Sequence, residues 1–121
     1  MSAVFAYQNG IKNESRTLVL EVKGRKTGKK RSVALAYFEV DGHLLVVGSR
    51  GGGPIDPQWV TNLRADPNAT IYVDRKEKKV KARIAAGEER AKLWEELGKM
   101  LPTYVHYQTL TTREIPLVIL E

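Results

Sequence analysis

Hydrophobic positions along this chain recur mostly with a period of two. Over residues 17–23, Leu18, Leu20 and Val22 alternate with Val19, Glu21 and Lys23. One face is apolar throughout, as expected of a strand laid on a core. Residues 31–40 predict a second strand. Asp41-Gly42 follows it, and Asp-Gly is the strongest short hairpin signal. Residues 43–48 are then its antiparallel return. Residues 69–74 and 78–86 predict another pair about Arg75-Lys76-Glu77. In the later of these, Val80, Ala82 and Ile84 alternate with Lys79, Lys81 and Arg83, which gives a strand with one wet face. Residues 115–120 are apolar with little alternation, the pattern of a central strand buried on both faces.

Between the strands the period becomes helical. Asp56-Pro57 predicts an N-cap and a proline at the first helical position. That helix should run to Ala65 and stop before Pro67. A second helix is predicted over residues 88–101, with Glu88 and Glu89 favouring its N-terminus through the dipole. Leu93, Trp94, Leu97, Met100 and Leu101 form its apolar stripe. A short helical piece after Pro102 carries Tyr104 and Tyr107. Short antiparallel connections dominate. The expected fold is therefore mainly β with flanking helices (α+β): a six-stranded antiparallel sheet closing towards a barrel, with helices packed outside. The 121 residues fit one domain, residues 1–121, without repeat or linker.

Composition narrows the chemistry. There is no cysteine, which removes disulfides, thiol nucleophiles and thiolate zinc sites. His43 and His106 are the only histidines, and no ligand cluster surrounds them, so no metal is expected. No apolar run approaches the ~18 residues of a membrane span. Residues 1–10 lack the pattern of a secretory signal, and the expected location is the cytoplasm, with peripheral contact at a membrane as the alternative. The formal net charge is +6 and the pI about 9.7, a balance that favours anionic partners. The positive charge clusters at residues 23–31 and 75–83. The second cluster is largely the solvent side of a strand. Aromatic residues do not interleave with the basic ones as stacking platforms would, so nucleic acid is not the expected partner.

Four features can carry chemistry. Gly24-Arg25-Lys26-Thr27-Gly28-Lys29-Lys30-Arg31 joins two strands. Its glycines permit a tight turn, and its cations suit a phosphate or carboxylate. It is not a P-loop, because three residues separate the glycines and a strand follows; a soluble basic hairpin tip is its plain alternative. Gly48-Ser49-Arg50-Gly51-Gly52-Gly53-Pro54 lies between a strand and a helix, where glycines allow close backbone approach to a ligand. Trp59, Asn62 and Leu63 share one helical face. Trp59 suits a core, whereas a buried Asn62 amide needs partners that a polar-edged ligand could supply. Tyr104 and Tyr107 stand about one turn apart and offer apolar planes with polar tips.

Taken in order, these pieces resemble the deazaflavin (coenzyme F420)-dependent nitroreductase family. The residues carrying the resemblance are Gly24-Arg25-Lys26-Thr27-Gly28 with Arg31, then Gly48-Ser49-Arg50-Gly51-Gly52, then Pro57-Gln58-Trp59 with Asn62, Leu63 and Asn68. Tyr104, Tyr107-Gln108 and Thr112-Arg113-Glu114-Ile115-Pro116 complete the set. No single piece is specific; the ordered set over residues 18–121 is. The resemblance implies a split β-barrel related to the flavin-mononucleotide-binding split barrels. It also implies hydride transfer from reduced F420 to a small acceptor such as a quinone, an activated enone or a nitroaromatic. Arg25, Lys26, Thr27 and Arg31 would hold the cofactor's phosphate and glutamate tail. Gly48, Ser49, Arg50 and Gly51 would meet the ring and the phosphate, and Trp59 and Asn62 would flank the cofactor. Tyr104 and Tyr107 would face the acceptor, with Ser49 near the reacting end.

The chain departs from the family in places. Arg50 stands where a lysine is usual. Leu101 stands where some members carry a further tyrosine, a difference that bears on nitroaromatic reduction. The N-terminal segment is short beside members whose amphipathic start sits at a membrane. Related barrels often dimerise, which makes a homodimer one expectation. Three other readings compete: a flavin mononucleotide reductase, a non-catalytic F420 carrier and a nucleic-acid-binding module.

Overall fold

The computed structural model describes residues 16–121; the readings made on residues 1–10 lie outside the described residues. Strand β1 (Arg16–Lys23) pairs antiparallel with β2 (Lys30–Val40), and Lys23 stands opposite Lys30. The basic turn therefore closes the end of a long two-stranded ribbon. Strand β3 (His43–Val47) returns through Asp41-Gly42, whose φ angles are 52° and 78°. Two successive positive φ values match the twist of a tight hairpin, and Asp-Gly tolerates them. Strands β4 (Asn68–Val73) and β5 (Lys76–Ile84) form the next hairpin, and β6 (Leu117–Leu120) comes last. The spatial order is β1-β2-β3-β6-β5-β4, with β4 closing on β1. This is the expected six-stranded antiparallel barrel.

Helix α1 (Gln58–Ala65) lies between β3 and β4 in the chain; α2 (Gly87–Met100) and α3 (Pro102–Thr109) lie between β5 and β6. Alternation sorts the apolar side chains into two cores. Leu18, Leu20, Val22, Ile71, Val80 and Val118 pack inside the barrel, joined by Trp59, Val60 and Leu63 from α1. Phe38, Leu45, Leu117 and Ile119 point outwards under Leu93, Leu97 and Leu101. Strand β6 contributes to both cores and is buried along its whole length, as its unbroken apolar run predicts.

Three local readings need correction. The β4–β5 turn is Asp74-Arg75, not Arg75-Lys76-Glu77: Val73 pairs with Lys76, and both turn residues have positive φ. Strand pairing extends to Lys76 because its exposed lysines cost nothing on the wet face. Asp56 does not cap α1, whose N-cap position is Pro57. The Asp56 carboxylate instead accepts from Arg64 and Arg113, since bonds to guanidinium groups outcompete a neutral backbone N–H. Met100 is half in solvent at 38% exposure, because it lies at the edge of a stripe whose centre is Leu93, Leu97 and Leu101.

Candidate functional site

The basic turn is built by its own backbone. Gly24 N donates to Lys29 O at 2.7 Å, Gly28 N to Gly24 O at 2.8 Å, and Lys29 N to the Thr27 hydroxyl at 3.2 Å. Gly28 has φ of +75°, where a side chain is strained. Helix α1 then fixes the turn from outside. The Asn62 Oδ1 accepts from Arg25 N at 3.1 Å and from Arg25 Nη1 at 2.8 Å. Asn62 is 5% exposed, so the partner that its burial demanded is Arg25 and not only a ligand.

Beneath the turn lies a cavity of about 410 Å³ lined by Arg25, Lys26, Thr27, Arg31, Trp59 and Asn62, with Val22, Gly24, Ser32, Val33 and Gln58 completing the wall. Among the described residues, three cations line it and no carboxylate does. An adjoining cavity of about 530 Å³ is lined by Ser49, Arg50, Gly51, Trp59 and Tyr104 over a mainly apolar floor that includes Leu35, Ala36 and Val47. Val33, Gln58 and Trp59 line both. The two cavities thus meet along Trp59, the first carrying Arg25, Lys26 and Arg31 and the second the cation Arg50 with Ser49 and Tyr104 over aliphatic residues.

The structure brings Arg25, Lys26, Thr27, Arg31, Trp59 and Asn62 to the first compartment, and Ser49, Arg50, Gly51, Trp59 and Tyr104 to the second. Gly48 and Tyr107 line neither. Gly48 is buried behind the loop, where a Cβ would come within 2.8 Å of Val60 Cγ2. Tyr107 supports Tyr104 edge-on at a centroid distance of 6.1 Å, and Phe38 does so at 5.8 Å. Burial, with a smaller effect from Tyr107, pushes the Tyr104 phenol up to about 12. Near neutral pH its hydroxyl therefore keeps its proton.

Two residues in the quoted motifs carry more than the sequence assigned to them. Gln58 lines both compartments; its place beside Trp59 at the start of a helix was the available signal. Arg113 donates to Gly48 O, Ser49 O, Gly53 O and the Asp56 carboxylate. In the sequence Arg113 stands out only as part of Thr112-Arg113-Glu114-Ile115-Pro116, a run that does not signal such a role.

A model of the F420H(2)-dependent quinone reductase family matches residues 6–121. The chain belongs to this family. A Mycobacterium tuberculosis protein bearing the family's name, Rv3178, is 33% identical over 111 residues, which cover 92% of this chain and 93% of the relative. Among solved structures, the F420-H2 dependent reductase FDR-A superposes with a TM-score of 0.76 at 36% identity, covering 88% of this chain and 94% of that one. A second structure, described as a domain-swapped dimer, matches with a TM-score of 0.77 at 36% identity, covering 88% of this chain and 80% of that one. F420H(2)-dependent quinone reductases are oxidoreductases that use coenzyme F420, and membership does not favour the flavin mononucleotide and nucleic-acid readings. The donor set fits F420, whose tail is polyanionic and whose ring is flat and apolar. Among the described residues, a compartment lined by three cations and no carboxylate adjoins one that holds Arg50, Ser49 and Tyr104 over an aliphatic floor. Among the described residues no helix is long and apolar enough to cross a membrane.

Proposed function

We propose that this chain binds reduced F420 across the two adjoining compartments and reduces a small acceptor of the quinone class. The observation that carries this reading is the uneven placing of cations about Trp59: Arg25, Lys26 and Arg31 on one side, with no carboxylate among the described lining residues, and Arg50 on the other, in a trough with an aliphatic floor that ends at Ser49 and Tyr104. When bound, F420 supplies the hydride.

The chain's residues do the rest. Arg25, Lys26, Thr27 and Arg31 hold the anionic tail, and the clustered cations also raise the encounter rate. Asn62 holds the Arg25 backbone and guanidinium still, so less order has to be imposed on binding. Trp59 gives the ring an apolar edge. Ser49, Arg50 and Gly51 approach it closely, because a glycine-rich backbone leaves no side chain in the way. The aliphatic floor of the second compartment would lie against the ring and the acceptor and limit water there. The protonated Tyr104 hydroxyl donates a hydrogen bond to the acceptor oxygen as it gains charge, with the Ser49 hydroxyl as a second donor. Tyr107 keeps Tyr104 in place from behind. Leu101 is 3% exposed and belongs to the outer core, so it offers the acceptor no hydroxyl. Residues 1–121 form one deazaflavin-binding domain in this reading, located in the cytoplasm. A homodimer is the assembly it adopts by analogy with the domain-swapped relative.

Titration with the protein at low salt should quench or shift F420 fluorescence. Arg25→Ala and Arg31→Ala should each weaken binding about tenfold or more, as expected for losing a charged hydrogen bond, with unchanged circular dichroism. Normal binding by both variants would rule out this tail site.

A further inference from the structure

The glycine-rich loop is held by a residue that lines neither cavity. Arg113 lies just before β6, with its side chain 14% exposed. Its guanidinium donates from Nη1 to Gly48 O at 3.1 Å, from Nη2 to Ser49 O at 2.8 Å and from Nε to Gly53 O at 2.9 Å. Nη1 also donates to Asp56 Oδ1 at 2.8 Å, which aligns the fork. The backbone behind Arg113 is fixed too. Gln108 Nε2 donates to Arg113 O at 2.7 Å, while its Oε1 accepts from Ile115 N at 2.9 Å.

This clamp determines which way the loop's N–H groups face. The carbonyls of Gly48 and Ser49 point at the guanidinium. Each peptide unit is planar and trans, and none here is cis. The N–H groups sharing those units, of Ser49 and Arg50, therefore point away from Arg113. Ser49 has right-handed helical angles, φ −80° and ψ −36°, and Arg50 has φ of 45°. A right-handed residue followed by a left-handed one makes successive N–H groups converge, as in backbone anion sites. The residues bearing them line the 530 Å³ cavity. A positive φ is unusual for arginine and costs of order 1 kcal/mol or more, so something must hold it.

We propose that Arg113 is a positioning residue that keeps the Ser49 and Arg50 N–H groups aimed into the second cavity as a site for an anionic oxygen. This inference rests on the proposed F420 reading. The oxygen has two sources: an anionic group of the cofactor, or the acceptor oxygen that gains charge on reduction. Lysine cannot replace the clamp, since a point charge does not span three carbonyls as a planar fork does.

The test compares Arg113→Lys with Arg90→Lys. Arg90 also bonds the segment before β6, through Ile115 O at 2.7 Å, and stacks on Trp94, but it lines neither cavity. Three quantities are measured: amide hydrogen exchange without cofactor, the F420 dissociation constant, and kcat with acceptor KM at saturating F420. Arg113→Lys should speed exchange over residues 49–53 and leave β6 unchanged. A dissociation constant raised about tenfold or more with kcat retained supports the proposal and assigns the oxygen to the cofactor. A comparable fall in kcat with the dissociation constant retained supports it and assigns the oxygen to the acceptor. Wild-type values throughout in a folded Arg113→Lys protein would overturn it, and so would equal losses in Arg90→Lys. Failure of the wild-type protein to bind F420 would instead reject the function, leaving hydrogen exchange to decide the clamp. Should Arg113→Lys not fold, Asp56→Asn, which loosens the guanidinium without removing it, is read in the same way.

Discussion

Asn62 is the buried polar side chain of the described core, and its burial is tolerable because Arg25 supplies two donors to its carbonyl oxygen. Asn62→Ala should lower stability by about 1–3 kcal/mol, the cost of disturbing a buried hydrogen-bonded group, and should also weaken F420 binding by freeing Arg25. Urea unfolding and cofactor titration measure the two effects separately. The sequence made Asn62 conspicuous, since an amide beside Trp59 and Leu63 on one helical face is out of place in a core. It did not reveal Arg25 as the partner, because that contact depends on how α1 seats against the β1–β2 turn. Tyr104 shows a similar division. Its turn-spacing from Tyr107 was legible, but its burial was not. Its phenol titrates at about 12 in the folded protein and at about 10 when unfolded. The unfolded chain therefore loses this proton first as pH rises. The contribution to stability is complete below about pH 10 and is lost on approach to pH 12. Unfolding followed at intervals from pH 9 to 12 should show this decline, and Tyr104→Phe should flatten it.

At the scale of elements, the glycine loop and α3 support one another. A Cβ on Gly52, where φ is +84°, would meet Tyr107 O at 2.8 Å and Leu110 Cβ at 3.0 Å. A Cβ on Gly51, where φ is +61°, would meet nothing within 4 Å. Gly51→Ala should cost only the backbone strain, roughly 1–2 kcal/mol. Gly52→Ala should cost more, because it adds an overpacking penalty of about 1–3 kcal/mol and pushes α3 and Tyr104 away from the loop. Thermal unfolding of the two variants checks the order, and equal losses would contradict the packing described. The strands were legible from alternation, and β6 from its unbroken apolar run. Element ends were less so. Asp56 carries the ordinary chemistry of a helix cap, yet two arginines brought near by the fold take its carboxylate. Local propensity cannot register a competitor 57 residues away.

At the scale of the molecule, the barrel places one end of the β1–β2 ribbon, one face of α1 and the loop after β3 around a single pair of compartments. The net charge of +6 is not spread evenly between them. Of the cations at the cofactor site, Arg25, Lys26 and Arg31 stand in the basic turn and Arg50 in the glycine loop, whereas those of β5 face solvent and Arg83 pairs with Glu89 and Glu121. Binding at the turn should therefore weaken as salt screens it. F420 at about 100 times its dissociation constant should stabilise the folded protein by about 2.7 kcal/mol, visible as a rise in Tm. Fold and family were readable because ordered motifs survive along the chain. The split of the site into two compartments was not, because it exists only once Trp59 stands between them.

The most direct test of the central claim is a single-turnover reaction. Purified protein carrying reduced F420 is mixed with a quinone, and the oxidised cofactor is followed by absorbance. Quinone-dependent oxidation should be faster than without protein and should be slowed in Arg25→Ala through weaker cofactor binding. Reduced F420 that binds tightly yet is oxidised no faster than in free solution, across a panel of quinones, would contradict the claim.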